Sequence, residues 1–214
     1  MCYKRIEAMS AAHPVPVPHP VHKETTSERL IRAALEMFSR RGMAATTREI
    51  AEEAGVNEVT LFRLFGSKDH LLAAVVAEVV RAKSEALDRV DLEDFDLRRD
   101  ITAIAEVYYA SNEHYQAFLR TMLAHRFQPK LTEDIMRDVI RPLRQKFIAY
   151  LAEGQRRGLV RQALDLSPVV DAFTGMIFAA VLRRTVFTPG YTREAYLRSC
   201  VDLFLAGISA PHSV

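Results

Sequence analysis

Residues 46–68 of the chain read TTREIAEEAGVNEVTLFRLFGSK. Thr46 and Glu49 have the spacing of a capping box, which predicts that a first short helix covers about residues 48–54. Gly55 follows at the point where a helix end needs a left-handed backbone, and glycine adopts that conformation without steric cost. The segment therefore predicts a short helix that ends in a tight glycine turn.

A second short helix follows that turn. Asn57 is a good N-cap for a helix over residues 58–65. Gly66 ends that helix, and Ser67 caps a further helix that starts at Lys68. Two short helices joined by a tight turn are typical of a helix-turn-helix, which places its second helix in the major groove of DNA. Glycine turns are also common in other all-α proteins, so spacing alone leaves a three-helix unit without DNA binding as an alternative.

Helical spacing also assigns the faces of the second helix. Leu61, Leu64 and Phe65 are expected to face the interior of the protein. The side chains between them, including Phe62 and Arg63, are expected to face outwards.

The neighbouring segments add a specific resemblance to a known family. The first short helix is preceded by SERLIRAALEMFSRRGMAATT, and the chain continues through IAEEAGV and VTLFRLFGSKDHLL. Residues 27–75 resemble the TetR family of bacterial transcriptional regulators, because several spaced elements match in order. These elements are Phe38 and Gly42 at the end of the first helix, Thr-Thr, Ile-Ala, Ala-Gly-Val, Thr-Leu-aromatic and Phe-Gly-Ser-Lys. The rest of the chain has no family motif, which is usual for the divergent ligand domains of this family.

The resemblance implies an all-α fold with an N-terminal three-helix helix-turn-helix DNA-binding domain and a C-terminal helical ligand-binding and dimerisation domain. We place the first domain at residues 24–70 and the second at residues 71–214. Residues 1–23 contain HPVPVPHP, whose alternating prolines favour an extended conformation, so we expect a disordered Pro/His-rich tail. A basic arm for the DNA minor groove is the alternative for this tail.

The remaining sequence has the periodicity of helices and no alternating strand pattern. A kink is expected at Pro142, because proline lacks the N–H that an interior helical position needs. Breaks between the helices are expected at Asn112, at residues 128–129, at residues 158–167 and at residues 189–190. The predicted helices cover residues 27–41, 68–90, 97–111, 113–126, 131–157, 168–187 and 192–208.

The resemblance also implies which side chains approach DNA. Thr47 and Arg48 stand where such proteins contact DNA before and within the first short helix, and Arg48 can read a guanine edge or hold a phosphate. Arg63 is the best candidate for direct base readout. Lys68, in the first turn of the next helix, can hold a phosphate together with free backbone N–H groups. The expected DNA-contacting residues are Thr47, Arg48, Asn57, Glu58, Val59, Thr60, Phe62, Arg63 and Lys68.

Two residues depart from the family pattern. Phe62 stands where tyrosine is frequent, and it lacks the hydroxyl that would bond a phosphate. Glu58 stands where a basic or neutral residue is frequent, and a carboxylate repels phosphates unless it accepts a hydrogen bond from a cytosine amine. Both departures bear on the DNA sequence that is read rather than on the binding activity.

Composition gives weak signals. The chain of 214 residues has 29 Lys and Arg against 27 Asp and Glu, so its net charge of +2 does not by itself indicate a nucleic-acid partner. Cys2 and Cys200 are its only cysteines, which fits a reducing cytoplasm without structural disulfides. The uncharged residues 172–182 are fewer than the ~18 that a membrane span needs, and the N-terminus lacks the apolar core of a signal peptide. We therefore expect a cytoplasmic protein without a membrane partner.

No sequence pattern indicates an enzyme, a metal or a cofactor. GxSxG, a glycine-rich phosphate loop, HExxH and paired CxxC are absent from the sequence. His114 and His125 are eleven residues apart and have no third ligand at metal-binding spacing. We expect no catalytic residues, no metal site and no cofactor.

The middle helices are expected to enclose a pocket for a small molecule. Its aromatic and methionine side chains indicate an apolar or amphipathic ligand, although core packing is an alternative role for each of them. The candidate ligand-binding residues are Tyr108, Tyr109, His114, Phe118, Met122, His125, Phe173 and Met176.

The two last helices are expected to form a homodimer interface. Residues 168–187 are apolar nearly all round, so this helix must be buried on two sides, one of them by a partner. The resemblance implies that these helices pair into a four-helix bundle across a two-fold axis, and an ordinary core helix in a monomer is the alternative. The candidate interface residues are Ala172, Gly175, Ala179, Tyr196, Val201 and Phe204.

These expectations combine into one functional hypothesis. The chain is expected to be a ligand-responsive repressor that binds a palindromic operator as a homodimer and is released by a small apolar or amphipathic effector. A helical interaction module, or an activator without induction of this kind, is the alternative.

Overall fold

The computed structural model describes residues 24–92, 94–127, 129–184 and 190–210. Within these ranges the chain is helical and forms no β-strand, and the all-α fold predicted from the sequence is confirmed. The predicted N-terminal tail lies outside the described residues.

The N-terminal head begins with three helices and continues into a fourth. Their ends follow the capping signals in the sequence: Thr46 and Glu49 form the predicted capping box, and the Asn57 side chain accepts a hydrogen bond of 2.8 Å from the Val59 N–H. Gly55 and Gly66 have φ angles of 66° and 74°, in the region that favours glycine. The helices are α1 (Thr26–Arg41), α2 (Thr47–Glu53), α3 (Glu58–Phe65) and α4 (Lys68–Asp88), with a 3₁₀ turn at Gly42–Ala44.

The head has its own hydrophobic core between α1, α2, α3 and α4. Leu61 is the residue of α3 that is fully buried in it, and Phe65 packs against its edge. Leu64 was expected to face inwards, and this prediction is wrong, because the side chain is 45% exposed. A helix of two turns packed on one side can bury only a narrow stripe, and Leu64 lies outside the stripe.

The body consists of six further helices. The break predicted at Asn112 is wrong: Asn112 is buried inside α5, and the helix ends two residues later, at His114. Pro142 lies in the first turn of α8, directly after a π-helical turn at Ile135–Ile140. Proline cannot donate the backbone hydrogen bond of an α-helix, and a wider π turn directly precedes it. The kink expected at Pro142 remains a prediction. The helices are α5 (Leu97–His114), α6 (Gln116–Ala124), α7 (Pro129–Asp134), α8 (Arg141–Arg156), α9 (Leu166–Arg184) and α10 (Arg193–Ile208).

The core of the body forms where α5 packs against α9 and α10, with α8 beside α9. Phe173 is fully buried there, and its ring lies 5.7 Å from that of Phe147 and 4.2 Å from that of Phe204. Asp100 is also buried in this region, where its carboxylate accepts hydrogen bonds from the Tyr150 hydroxyl (2.7 Å) and the Arg99 Nε (3.0 Å). The buried carboxylate is therefore paired, as the stability of the body requires.

Two helices join the head to the body. Helix α4 packs against α1 in the head and against α5 and the π turn in the body. Helix α6 packs against α1, where the buried Thr121 hydroxyl donates a hydrogen bond of 2.9 Å to the Phe38 carbonyl oxygen, and it also contacts α9. Both helices therefore contact the head and the body.

Candidate DNA interface and ligand cavity

The N-termini of α2 and α3 lie side by side at the surface of the head. The Thr47 hydroxyl donates a hydrogen bond of 2.5 Å to Glu58 Oε1, and this contact joins the first turns of the two helices. The carboxylate of Glu58, which departs from the family pattern, therefore accepts a hydrogen bond within the head. The same contact directs the Thr47 hydroxyl proton towards Glu58. This hydrogen bond must break before the Thr47 hydroxyl can donate to a phosphate.

The outer face of α3 is open to solvent. Val59 and Phe62 are 73% and 45% exposed, although both are apolar. Arg63 is exposed beside them, and it forms no ion pair with any other described residue. An exposed helix that combines apolar side chains with an unpaired guanidinium can contact thymine methyl groups, base edges and phosphates together.

Two other basic residues of the predicted set are engaged within the head. Arg48 pairs with Glu52 across one helical turn (Nε to Oε1, 3.0 Å), but both side chains are largely exposed, so the pair is weak and a phosphate can replace it. Lys68 is half-buried, and its Nζ donates a hydrogen bond of 2.6 Å to the Met43 carbonyl oxygen. Burial lowers the pKa of Lys68 below its ordinary value. In this conformation its ammonium braces the 3₁₀ turn rather than pointing outwards.

All nine residues of the predicted DNA-contacting set belong to the first turns of α2 and α4 or to α3 with its N-cap, and none of them is buried. Asn57 differs from the others in that its side chain already caps α3. The assignment of these residues to DNA contacts remains a prediction.

The body contains a cavity of about 700 Å³. It lies between α4, α5, α6, the π turn and α9, and its wall is mostly apolar. Three of the predicted ligand-binding residues line it, namely Tyr108, Phe118 and Met122. Its volume is in the range of about 300–1,000 Å³ that is typical of sites for small molecules.

The structure places the other five predicted residues outside the cavity wall. Tyr109 points to the opposite side of α5 from Tyr108, where the Arg193 guanidinium lies 4.7 Å from its ring centre. His114 packs edge-on against Tyr115 at the end of α5, and His125 faces Asp69 of α4 at 3.2 Å. These placements follow from helix faces, since neighbours in a helix point about 100° apart.

The last two of the five lie on α9. Phe173 is in the centre of the body core, and the Met176 carbonyl oxygen accepts a hydrogen bond of 2.9 Å from the Tyr196 hydroxyl. The face of α9 that meets the cavity carries Val170, Asp171, Thr174, Gly175 and Phe178 instead.

Sequence reasoning missed the contribution of α4 and of the π turn to the cavity. Val76, Val79, Val80 and Lys83 line it at the three- and four-residue spacing of one helix face. A lysine that continues a valine stripe was the signal that could have identified this wall. The π turn supplies Ile135, Met136 and Ile140.

The polar groups of the cavity form two clusters. The Lys83 Nζ donates a hydrogen bond of 2.6 Å to Asn112 Oδ1, and burial lowers the pKa of Lys83 to about 8. Arg144 holds Asp171 through two hydrogen bonds, from Nε at 2.6 Å and from Nη2 at 2.8 Å. The second cluster is therefore an internally balanced ion pair, and the first is not.

The predicted interface residues of α9 and α10 separate into two groups. Ala172, Gly175 and Ala179 are exposed on one face of α9, as an interface requires. Val201 and Phe204 are buried in the core of their own chain, so they cannot contact a partner, and their assignment to the interface is wrong. The core of the chain takes Leu197, Cys200, Val201, Phe204, Leu205 and Ile208 from α10.

The exposed face of α10 lies on the other side of the helix. It carries the small residues Ala195, Ser199 and Ala206, and Leu203, which is 68% exposed. Tyr196 is half-buried between the two groups and accepts a hydrogen bond of 3.1 Å from Arg183. The exposed faces of α9 and α10 together form what we call the outer face, made of Ala172, Gly175, Ala179, Ala195, Ser199, Leu203 and Ala206.

Helix α9 (Leu166–Arg184) extends beyond the uncharged residues 172–182 at both ends. Among the described residues it is the one helix that is long and apolar enough to cross a bilayer by length and composition, and 28% of that window is buried within the chain. A core helix of a water-soluble protein meets the same criteria. No group of three or more His, Cys, Asp or Glu side chains in the described part of the chain is arranged to hold a metal ion.

A capped helix-turn-helix head, joined by two helices to an all-α body with an apolar cavity, is the architecture of a DNA-binding transcriptional regulator. The family model described as bacterial regulatory proteins of the tetR family matches residues 30–75. The family model described as the tetracyclin repressor-like C-terminal domain matches residues 93–204. The chain belongs to the TetR family of DNA-binding transcriptional regulators, which are not enzymes.

Individual relatives agree with this assignment. The HTH-type transcriptional regulator YvkB of Bacillus subtilis is 26% identical over 192 residues, which cover 86% of this chain and 98% of the relative. The HTH-type transcriptional regulator BetI of Stenotrophomonas maltophilia is 33% identical over 110 residues, which cover 49% of this chain and 56% of the relative.

Solved structures show the same fold at lower identity. The transcriptional regulator FadR from Bacillus subtilis, in complex with stearoyl-CoA, superposes with a TM-score of 0.72 at 20% identity over 84% of this chain and 98% of that chain. The fatty acid degradation regulator FadR from Bacillus halodurans superposes with a TM-score of 0.72 at 18% identity over 86% of this chain and 96% of that chain.

Proposed function

We propose that this chain is a cytoplasmic, ligand-responsive repressor. It binds a palindromic operator as a homodimer, and a small apolar or amphipathic effector in the cavity releases it from DNA. The observation that carries the proposal is that α4 and α6 each line the cavity and also pack against the head.

The head supports the DNA-binding part of the proposal. An exposed strip along α3 is formed by Val59, Phe62 and Arg63. The Arg63 guanidinium forms no ion pair with any other described residue. Thr47 and Arg48 are next to the N-terminus of this helix through the contact between Thr47 and Glu58. These positions suit a recognition helix in the major groove, with the N-terminus of α2 at the adjacent phosphates.

The outer face supports the homodimer. Its small residues allow another helix to approach closely, and Leu203 exposes a large apolar side chain on it. Only about a quarter of the apolar window of α9 is covered by the chain itself. A second copy related by a two-fold axis would cover the rest and would place the two recognition helices about 34–36 Å apart on a palindrome.

The junction between head and body supports release by a ligand. Phe118 and Met122 of α6 line the cavity, while Thr121 of the same helix bonds to Phe38 in the head. A ligand that favours one position of α4 and α6 changes the spacing of the two heads. Ligand and operator then bind different conformations, and each must weaken the other by the same factor. The complex of the Bacillus subtilis FadR with stearoyl-CoA is in keeping with an amphipathic effector for this fold.

The first experiment identifies the operator. Genomic fragments bound by the purified protein are selected, and the best fragment is titrated by fluorescence anisotropy over a salt series. We expect a palindrome and a negative slope of log K against log[salt] of about 0.9 for each phosphate contact. No enrichment over random DNA, with a ligand-free preparation, would contradict the proposal.

Arg63→Ala then tests whether the exposed face of α3 contacts DNA. We expect a loss of affinity for the operator of about 1–3 kcal/mol, because the variant removes a charged contact to a base or phosphate. Arg89→Ala is the matched control, since Arg89 is an exposed arginine at the end of α4 outside the head. Equal affinities for both variants and the parent protein would refute the role of Arg63.

A further inference from the structure

We propose that the effector is a linear monocarboxylic acid in its anionic form, with its carboxylate bound to Lys83 and Asn112 and its apolar part in the rest of the cavity. The proposal names the ligand class of the site described above, so it rests on the proposed function.

Lys83 is the one cation of the cavity wall that has no anionic partner. It lies on α4 one turn after Val79 and Val80, and its side chain is largely buried. No carboxylate of the described residues lies within ion-pair distance of its Nζ. The acidic residue of the wall, Asp171, is paired with Arg144 instead. A buried charge without a partner is costly, and an anionic ligand would offset that cost.

The neighbours of Lys83 prepare it to bind an anion. The Asn112 Oδ1 accepts one hydrogen bond from Nζ at 2.6 Å, and the ammonium lies 5.1 Å from the centre of the Tyr108 ring. An ammonium has three donors, so two remain for a ligand. The Asn112 amide also has an NH₂ group, which can donate to the second oxygen of a carboxylate. Burial that lowers the pKa of Lys83 is consistent with a site that lacks its counter-charge.

The remainder of the cavity disfavours a ligand with several charges. Phe118, Met122, Ile135 and Leu143 belong to a wall that is otherwise apolar or already paired. A second anionic group would either lie against these side chains or have to displace Asp171 from Arg144. One negative head group and an apolar body are the composition that matches one free ammonium in an apolar cavity of about 700 Å³.

The carboxylate would also strengthen the connection that the Lys83–Asn112 hydrogen bond makes between two helices. Lys83 belongs to α4, which reaches the head, and Asn112 belongs to α5, which is part of the body core. A carboxylate bound to both side chains would fix the position of α4 relative to the body. An uncharged ligand of the same shape fills the cavity without this link, and an acyl thioester has no carboxylate to form it.

The test compares acids with alcohols of equal length. Octanoate, decanoate and dodecanoate and the three matching primary alcohols are titrated calorimetrically into the purified full chain at neutral pH. We expect the tightest acid to bind at least about tenfold more tightly than its alcohol, because a hydrogen bond to a charged group is lost with the carboxylate. Equal affinities, or no binding by any of the six compounds, would overturn the proposal.

Lys83→Met separates the charge from the shape of the cavity. We expect the preference for the acid to disappear, with the alcohol bound as tightly as by the parent protein, which also reports that the cavity is intact. Lys130→Met, at an exposed lysine of α7, is the matched control and should keep the preference. Unchanged binding of the acid by Lys83→Met would refute the assignment.

Release of the operator distinguishes this proposal from the proposed function. An acid that binds through Lys83 and leaves the operator complex intact supports the carboxylate site and contradicts the regulatory role of the cavity. An operator released equally by acid and alcohol, in both the parent protein and Lys83→Met, supports the regulatory role and overturns the carboxylate site.

Discussion

The head and the body are both bundles of short helices, but different parts of the sequence determine them. In the head, side-chain caps and glycines mark each helix end, and the residues that make these contacts are at most four positions apart. In the body, Asp96 and Thr192 cap α5 and α10 in the same local way, but the cavity depends on contacts between distant residues, such as the hydrogen bond between Lys83 and Asn112. Local rules therefore fix the reading surface, whereas packing between distant helices fixes the cavity.

This difference separates two tasks. A head built from local signals keeps its geometry when the body changes. The same DNA-binding head can therefore be combined with bodies that bind different ligands. A body built from distant contacts can change its cavity through a few substitutions on helix faces. The following experiments test this separation by perturbing one region and measuring both.

Phe173→Ala should have the largest effect on stability. Phe173 is fully buried against Phe147 and Phe204, so truncation leaves a cavity and costs about 3–5 kcal/mol of unfolding free energy. Chemical denaturation followed by circular dichroism measures this loss. Leu123→Ala, at an exposed leucine of α6, is the control and should stay within about 0.5 kcal/mol of the parent. A loss below about 1 kcal/mol for Phe173→Ala would contradict the packing described here.

Leu203→Glu tests whether the outer face is the contact between two copies. A carboxylate at this exposed position of the outer face would be buried without a partner in the dimer. We therefore expect monomers by sedimentation or light scattering at micromolar concentration. Asp202→Ser, one position away, removes the acceptor of an Arg98 contact within the chain and should leave the dimer intact. A dimer that persists in Leu203→Glu with unchanged affinity would place the interface elsewhere.

Thr46→Ala should act on the head alone. The variant removes the capping box of α2 and should cost about 0.5–2 kcal/mol. Hydrogen exchange should become faster in α2 and α3 and stay unchanged in α5, because the cap is local. Thr102→Ala is the control, since this exposed hydroxyl donates to the Arg98 carbonyl oxygen within α5 and caps nothing. Equal loss of protection in head and body would show that the two regions unfold together.

A pH dependence of stability is also expected from Lys83. Its pKa is about 8 in the folded chain and about 10.5 ordinarily, so between these values the unfolded chain binds more protons at this site than the folded chain. Stability from this group therefore rises with pH from about 8 towards 10.5. The measurement is the urea midpoint of the parent protein minus that of Lys83→Met over this range, which removes contributions from other groups. A difference that is flat with pH would contradict the shifted pKa.

The comparison of head and body also explains what the sequence could predict. The bounds of α3 agree with the prediction over residues 58–65, because Asn57 and Gly66 mark its two ends. The placement of Leu64 was wrong because spacing within a short helix does not say how wide its buried stripe is. The family resemblance supplied the function of the head, which its balanced charge does not indicate.

In the body, the sequence predicted the order of the helices but not their contacts, and the single helix predicted over residues 131–157 is divided into α7, the π turn and α8. Tyr108 and Tyr109 are adjacent, yet only Tyr108 lines the cavity, and the choice depends on where α9 and α10 meet α5. Val201 and Phe204 failed for the same reason, since apolar residues suit a core and an interface equally well. Lys83 was overlooked because its significance depends on Asn112, which is 29 positions away.

The π turn at Ile135–Ile140 has a consequence for how relatives of this protein can diverge. Such a turn contains one residue more than an α-helical turn, so deletion of a single codon there would convert it to an α-helix. The residues before the deletion would then rotate by about 100° relative to α8, and another set of side chains would face the cavity. One in-frame genetic event in this turn can thus exchange a wall of the effector site while the coding sequence of the head stays the same.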